Sequence, residues 1–257
     1  MRSAMRSASS ATCLAAALGL GLGGCNDFLT GEGITDNPNN PTVATNASLI
    51  VAAQSNLAVQ TEGHLGRTIC MWVQQCAGIG QQYLSVGTYS VGEDEFYYEW
   101  RALYGQGGLL DLRRVQASGR ESGDSTFAGI AMVLEGWMVG MAADAWGDIP
   151  YSQAASDTVA TPTLDPQQQV YEAVQARLDT AILFLAATSA RNLGPGPADL
   201  VYGGDREKWT VLAHTLKARF HLHTAEQLGQ AAYEAALAEL QSVVEGLDGA
   251  QGESRMG

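Results

Sequence analysis

The sequence predicts an all-α protein built from antiparallel helix pairs with irregular loops between them. Three observations carry that prediction. Apolar residues recur at helical spacing over several long segments. Phe127 to Trp146 is apolar except at Glu135 and Asp144, which marks a helix at the centre of a core. Two further segments open with helix-start chemistry: Asp165-Pro166-Gln167-Gln168 offers a cap, a first-turn proline and a capping-box glutamine, and Asp205 offers a cap.

Residues 1–24 read as a secretory signal. Arg2 and Arg6 are basic, residues 11–22 (ATCLAAALGLGL) are apolar and too short for a stable span, and small residues follow. The signal ends in Leu22-Gly23-Gly24-Cys25, which resembles the bacterial motif that is cut before a cysteine whose thiol is then acylated. Cys25 is therefore the expected lipidation site, and several acyl chains on it would hold the protein on a membrane. An ordinary signal with a chance cysteine is the alternative. Residues 25–45 follow as lipidated cysteine and tether, rich in Asn, Gly, Pro and Thr, and residues 46–257 as the helical domain. Asp36-Asn37-Pro38-Asn39-Asn40 invites a calcium loop, but Pro41 and Ala47 stand where that pattern needs Gly and Glu, so a turn before a helix is the reading.

Without residues 1–24 the chain keeps 12 of its 14 Lys and Arg against all 27 Asp and Glu, a formal charge of −15. Such a surface repels nucleic acid and anionic lipid heads, and suits a neutral or cationic ligand better than an anionic one.

Ala47 to Gln75 has a helical pattern in two pieces, broken near Gly63 or Gly66. Cys70 and Cys76 lie within it. On one helix they would stand roughly 9 Å apart along the axis, beyond disulfide reach, so two buried thiols are expected unless the helix breaks between them. Gly78 to Gly92 is loop-like, with a short extended piece at Tyr83–Tyr89. Glu93 to Val115 reads as one helix with Phe96, Trp100, Leu103 and Tyr104 on one face, weakened at Gly107-Gly108. In the apolar helix, Gly136 and Gly140 would admit a close neighbour. It is judged too short and too interrupted to span a membrane. Val170, Val174, Leu178, Ala181, Ile182 and Leu185 then form a stripe that Asn192 to Pro197 ends. Asp205 opens a helix through Leu228, Gly229 turns the chain, and Ala231 to Val244 is the next helix. Trp209, Leu212, Ala213, Leu216, Ala225 and Ala232 partly fit tetratricopeptide spacing. Gly229 stands where an aromatic belongs and no second copy is convincing, so the pairs are degenerate.

Three sets of residues could carry chemistry. Asp144 and Asp148, with Trp146, Pro150 and Tyr151 around them, form DAWGDIPY at the end of the core helix. Paired carboxylates can cleave a glycoside or hold a metal, but Gly147 and Pro150 show the helix ending there. A structural turn is the favoured reading, with ligand contact or catalysis as alternatives. His214, His221 and His223 suggest a metal, yet the first two lie roughly 10 Å apart along the axis and the third points elsewhere, so helix-surface histidines are expected and no metal site. Tyr83, Tyr89, Tyr97 and Tyr98, on loops or at a helix entry, are the candidate ligand-binding residues, because flat rings stack on sugars and hydroxyls bond them. Trp100 and Tyr104 are expected in the core. No cofactor motif is present.

The order of these features resembles the SusD/RagB family of outer-membrane nutrient-binding lipoproteins. Cys25-Asn26-Asp27-Phe28-Leu29 looks like the family's start, and Asn37-Pro38-Asn39-Asn40-Pro41 like the segment before its first helix. Ala143-Asp144-Ala145-Trp146-Gly147-Asp148-Ile149-Pro150-Tyr151-Ser152-Gln153-Ala154 is the most specific match. Val170-Tyr171 with Leu178-Asp179-x-Ala-Ile182, and Lys208-Trp209 leading to Leu216-Lys217-Ala218-Arg219, also fit. The resemblance implies a SusD-like helical fold and a binding protein rather than an enzyme. Its partners would be a glycan or peptide ligand, a TonB-dependent β-barrel transporter of SusC type, and a membrane reached through the lipid anchor at the cell surface. Family members usually continue well beyond this length, so an incomplete C-terminus is expected. A glycoside hydrolase using Asp144 and Asp148, and a helical scaffold without a small ligand, are the competing expectations.

Overall fold

The computed structural model describes residues 44–92, 94–156 and 158–254. The signal segment, Cys25, the tether and the Asp36–Asn40 stretch lie outside the described residues. Ten α-helices and one 3₁₀ turn account for the regular structure among the described residues, with a single isolated β-bridge.

α1 (Asn46–Glu62) starts where the Thr45 hydroxyl accepts the Ser48 amide at 3.1 Å, and it buries Ile50, Ala53 and Leu57 on one face. Gly63 separates it from α2 (His64–Trp72). That helix ends before Cys76, and the chain turns back so that Cys70 and Cys76 form a disulfide across a Cα separation of 5.3 Å. The expected pair of buried thiols is thus corrected. The helix breaks between them, Gln74 takes a left-handed φ of 60°, and Cys76 is exposed. Tyr83–Gly87 is a short helix, α3, not an extended piece.

The helix expected over Glu93–Val115 is two: α4 (Tyr97–Tyr104) and α5 (Leu109–Ser122). Gly107 at φ 70° makes the break, and Asn56 of α1 fastens it by donating to the Ala102 and Gly107 carbonyls at 2.9 and 3.0 Å. Trp100 and Tyr104 pack against the core as expected.

α6 (Ser125–Trp146) is the central element, and α5, α7 (Gln167–Ala186) and α8 (Arg206–His223) pack around it. At 22 residues it is long and apolar enough to cross a membrane, so length does not exclude a span as the sequence reading held. Burial does: 83% of its apolar window lies inside this protein. Gly136 lies against the Leu178 side chain and Gly140 against the Phe220 ring, so a Cβ at either would meet a packed neighbour. Each large apolar side chain buried there contributes roughly 1.5–3 kcal/mol.

α8 opens as expected, with the Asp205 carboxylate accepting the Glu207 and Lys208 amides at 3.1 Å each. It ends at His223; a further turn, α9 (Ala225–Leu228), leads over Gly229 into α10 (Gln230–Ser254), which packs on α8. Lys217 bridges Asp179 of α7 and Glu239 of α10, at 2.5 Å to each, and His214 meets Glu239 at 2.7 Å. Two of the three histidines are therefore accounted for at an interhelical contact (His214) and at the α6–α8 end (His223, below). Among the described residues no group of three or more His, Cys, Asp and Glu could hold a metal ion.

One charged residue sits in the middle of the apolar helix. Glu135 is fully buried. It accepts from Gln116 and from the Tyr151 hydroxyl, the latter at 2.9 Å, and stands 3.6 Å from the Arg113 guanidinium and 3.4 Å from that of Arg177. A buried carboxylate persists only when paired and hydrogen-bonded in this way.

Candidate functional site: an aromatic cleft at the end of the central helix

The DAWGDIPY stretch is a reversal. Gly147 takes φ 74° and ψ −112°, a conformation only glycine adopts readily, and α6 stops. Ile149 then pairs with Asp165 through two backbone hydrogen bonds of 3.2 and 2.9 Å, which brings the start of α7 back beside the end of α6.

The polar side chains of the turn have separate tasks. Asp148 accepts the Gln167 amide at 2.8 Å, and so satisfies the first turn of α7 from a distance. The cap expected from Asp165 is not made, because the residue preceding Gln167 is Pro166 and Asp165 faces the other way. Its carboxylate accepts the Tyr151 and Ser152 amides at 2.8 and 2.7 Å and the Ser152 hydroxyl at 2.7 Å. Burial raises the Asp165 pKa, but the Ser152 hydroxyl and these amides outweigh it and leave the group below the ordinary carboxylate range. Tyr151 is buried, with its hydroxyl on Glu135 and its ring under the Arg113 guanidinium. Burial first, and the Glu135 charge second, push the hydroxyl up to about 12. Pro150 is half-buried within the same turn.

Asp144 faces elsewhere, into an open cleft of about 1090 Å³. It accepts from the Tyr171 hydroxyl at 2.5 Å and meets His223 Nδ1 at 2.7 Å, so the ends of α6, α7 and α8 converge on one carboxylate. Burial first, then the neighbouring carboxylate, raise the Tyr171 hydroxyl well above its ordinary value. Asp144 and Asp148 thus serve different partners rather than forming a matched pair.

Around Asp144 the cleft is walled by rings and aliphatic groups. α1 and α2 supply Gln60, Leu65, Ile69 and Trp72; Phe96 follows; α6 supplies Trp137, Met141 and Trp146. Gln167, Arg219, His223 and Glu226 add polar groups to the lining. Flat rings with a few convergent hydrogen-bonding groups are the make-up of a small-molecule or saccharide site.

None of the four expected ligand-binding tyrosines lines this cleft. Tyr89 adjoins it: its ring stacks on Trp72 at 6.0 Å and its hydroxyl donates to the Trp72 carbonyl at 3.0 Å. Trp72 in turn meets Phe96 edge-on at 6.1 Å. Tyr83 is half-buried beneath the Arg67 guanidinium. Tyr97 and Tyr98 are exposed and meet edge to face at 5.5 Å. Sequence reasoning missed Trp72, Trp137, Tyr171 and His223 as a group. His223 and Asp144 are 79 residues apart, so no local spacing could pair them.

Comparison with known proteins bears on most of the chain. The family model SusD-like_2, described as starch-binding and associating with the outer membrane, matches residues 38–250. Among solved structures, a SusD/RagB family protein from Bacteroides thetaiotaomicron is similar at 23% identity and a TM-score of 0.70, covering 77% of this chain and 43% of that one. A chitin-binding protein is similar at 24% identity and a TM-score of 0.63, with coverage of 77% and 43%. A SusD-like protein from Bacteroides thetaiotaomicron follows at 19% identity and a TM-score of 0.58, with coverage of 76% and 42%. The chain thus spans less than half the length of these structures, and at these identities they speak for the fold alone. No curated protein matches. With the family model matched over most of the chain and the SusD-like helical fold in place, the chain belongs to the SusD-like family.

Proposed function

We propose that this protein captures a carbohydrate polymer at the outer membrane and passes it to a TonB-dependent β-barrel, without catalysing a reaction. The observation that carries the reading is the aromatic cleft at the end of α6, in a chain of this family. Trp72, Trp137 and Trp146 offer stacking faces, and Asp144, Gln167 and His223 offer hydrogen bonds to sugar hydroxyls. Tyr89 extends this surface outward through Trp72, and Tyr97 and Tyr98 lie exposed as further stacking faces. The name of the chitin-binding relative supports a polysaccharide over a peptide. Cys25 is the proposed anchor, acylated after removal of residues 1–24, which holds residues 46–257 at the cell surface through the tether.

The test has two parts. The tagged full chain is purified in mild detergent from its own outer membrane, and a co-purifying large TonB-dependent barrel is looked for. Binding of starch and chitin oligosaccharides is then titrated against wild type and Trp146→Ala. Co-purification with the barrel, and oligosaccharide binding that Trp146→Ala weakens about tenfold, are the expected results. A protein that comes alone and binds neither glycan refutes the reading.

A further inference from the structure

The Cys70–Cys76 disulfide lies outside the buried core cluster. Its ring is short, with the cysteines six residues apart in sequence, and its outer members Val73 and Cys76 are exposed. A short ring also removes less entropy from the unfolded chain than a long one. What it encloses is Trp72, the last residue of α2 and one wall of the cleft. From the other side Trp72 is gripped by the α3 segment. Its indole N–H donates to the Val86 carbonyl at 3.0 Å, and Tyr89 stacks on the ring and bonds the backbone of the same residue. Three of the four non-glycine residues with left-handed φ among the described residues, Gln74, Gln81 and Tyr89, fall between Cys70 and Ser90. Such conformations cost free energy and persist where surrounding contacts impose them. A helix end ordinarily frays; this one is closed by a covalent link just after Trp72, and the Trp72 ring itself is held by the Val86 carbonyl and the Tyr89 stack.

We propose that the Cys70–Cys76 disulfide is a positioning element for ligand binding. It holds Trp72 as a fixed wall of the cleft, so that the oxidised protein is set for its ligand and the reduced protein is not. The proposal rests on the carbohydrate reading of the cleft. The physical ground is preorganisation: a side chain ordered before the ligand arrives need not be ordered at its expense.

The test compares the full chain in mild detergent as wild type, as the Cys70→Ser/Cys76→Ser double variant, as Trp72→Ala, and as the triple variant. One readout needs no ligand: acrylamide quenching of Trp72, taken as the difference from a Trp72→Phe version of each background. The other is affinity for chitohexaose and maltohexaose. Loss of the disulfide is expected to make Trp72 more accessible to acrylamide and to weaken binding roughly fivefold. Trp72→Ala weakens it at least as much, and the triple variant no further, because both changes act through one side chain. Reductant on wild type reproduces the double variant and covers the case in which the serine variant does not fold. Trp72 equally shielded with and without the disulfide, or losses that add in the triple variant, overturn the proposal. If neither glycan binds wild type, the carbohydrate reading fails by itself. The quenching comparison then decides the positioning claim alone: shielding lost with the disulfide upholds it, and shielding kept overturns it.

Discussion

Replacing Glu135 by Ala is expected to destabilise the fold strongly. The carboxylate accepts from Tyr151 and Gln116 and lies between two guanidiniums, at 3.6 and 3.4 Å. Truncation takes this acceptor from all four, although Arg113 keeps its bonds to the Ala154 and Tyr151 carbonyls. Removing one partner of a buried charged cluster costs about 3–5 kcal/mol. Arg113 and Arg177 each keep 26% side-chain exposure, so water reaches them and the lower end, about 3 kcal/mol, is the expected figure. That is a large part of the roughly 5–15 kcal/mol a domain has. With a urea slope of about 2–3 kcal/mol/M, the midpoint falls by about 1–1.5 M. Glu135→Gln keeps the volume and one acceptor for the Tyr151 hydroxyl, and costs about 1–2 kcal/mol. Urea unfolding followed by far-ultraviolet circular dichroism gives both numbers. A Glu135→Ala midpoint within about 0.3 M of wild type would sink the claim that this carboxylate ties the DAWGDIPY turn to the core.

Other outcomes follow from the same contacts. Tyr151 has its hydroxyl pushed up to about 12 by burial and by Glu135, against about 10 in an unfolded chain. The stability it contributes is therefore complete below pH about 10 and is lost as pH rises towards about 12, and Tyr104 and Tyr171 are raised in the same direction. Urea midpoints should fall across that window, and less steeply in Tyr151→Phe. Gly140→Ala forces a methyl against the Phe220 ring and should cost about 1–3 kcal/mol, read as a lowered melting temperature. Asp148→Ala removes the acceptor for the Gln167 amide and should cost about 1 kcal/mol in urea, with Asp148→Asn restoring most of it; equal losses in the two variants would argue against a capping role.

The helices were legible where one rule decided them. α6 is apolar on nearly every side, with Glu135 and Asp144 as the exceptions, and that pattern pointed to a core position. Gly136 and Gly140 were legible for the same reason, since a helix crowded on all faces needs places where neighbours come close. Asp205 was a cap by purely local chemistry. Two of the misses come from a partner distant in sequence, and a third from a helix that ends early. Asp165 looked like a cap because its four-residue context is that of a cap, yet the returning strand at Ile149 gave Tyr151 and Ser152 amides a stronger claim on it, and Asp148 took its place. Cys70 and Cys76 looked too far apart because the helix was extended through them; the chain leaves the helix at Trp72. The cleft was the least legible feature. Its rings come from α2, α6 and the segment before α4, and its carboxylate meets a histidine from the far end of α8. Aromatic residues clustered in sequence drew attention to Tyr97 and Tyr98, while the rings that converge in space are scattered along the chain.

The Ile149–Asp165 bridge also sets the terms on which the chain between those residues can be altered. The bridge and the Asp165 carboxylate clamp both ends of the excursion, and its tip at Ala160 and Thr161 is exposed. Lengthening a loop whose ends are already fixed adds little closure entropy, about 0.6 kcal/mol for each doubling. A short epitope or a dye-labelling peptide inserted between Ala160 and Thr161 therefore leaves the helical frame and the aromatic cleft untouched. Where that epitope becomes accessible on intact cells would report directly which side of the membrane the domain occupies.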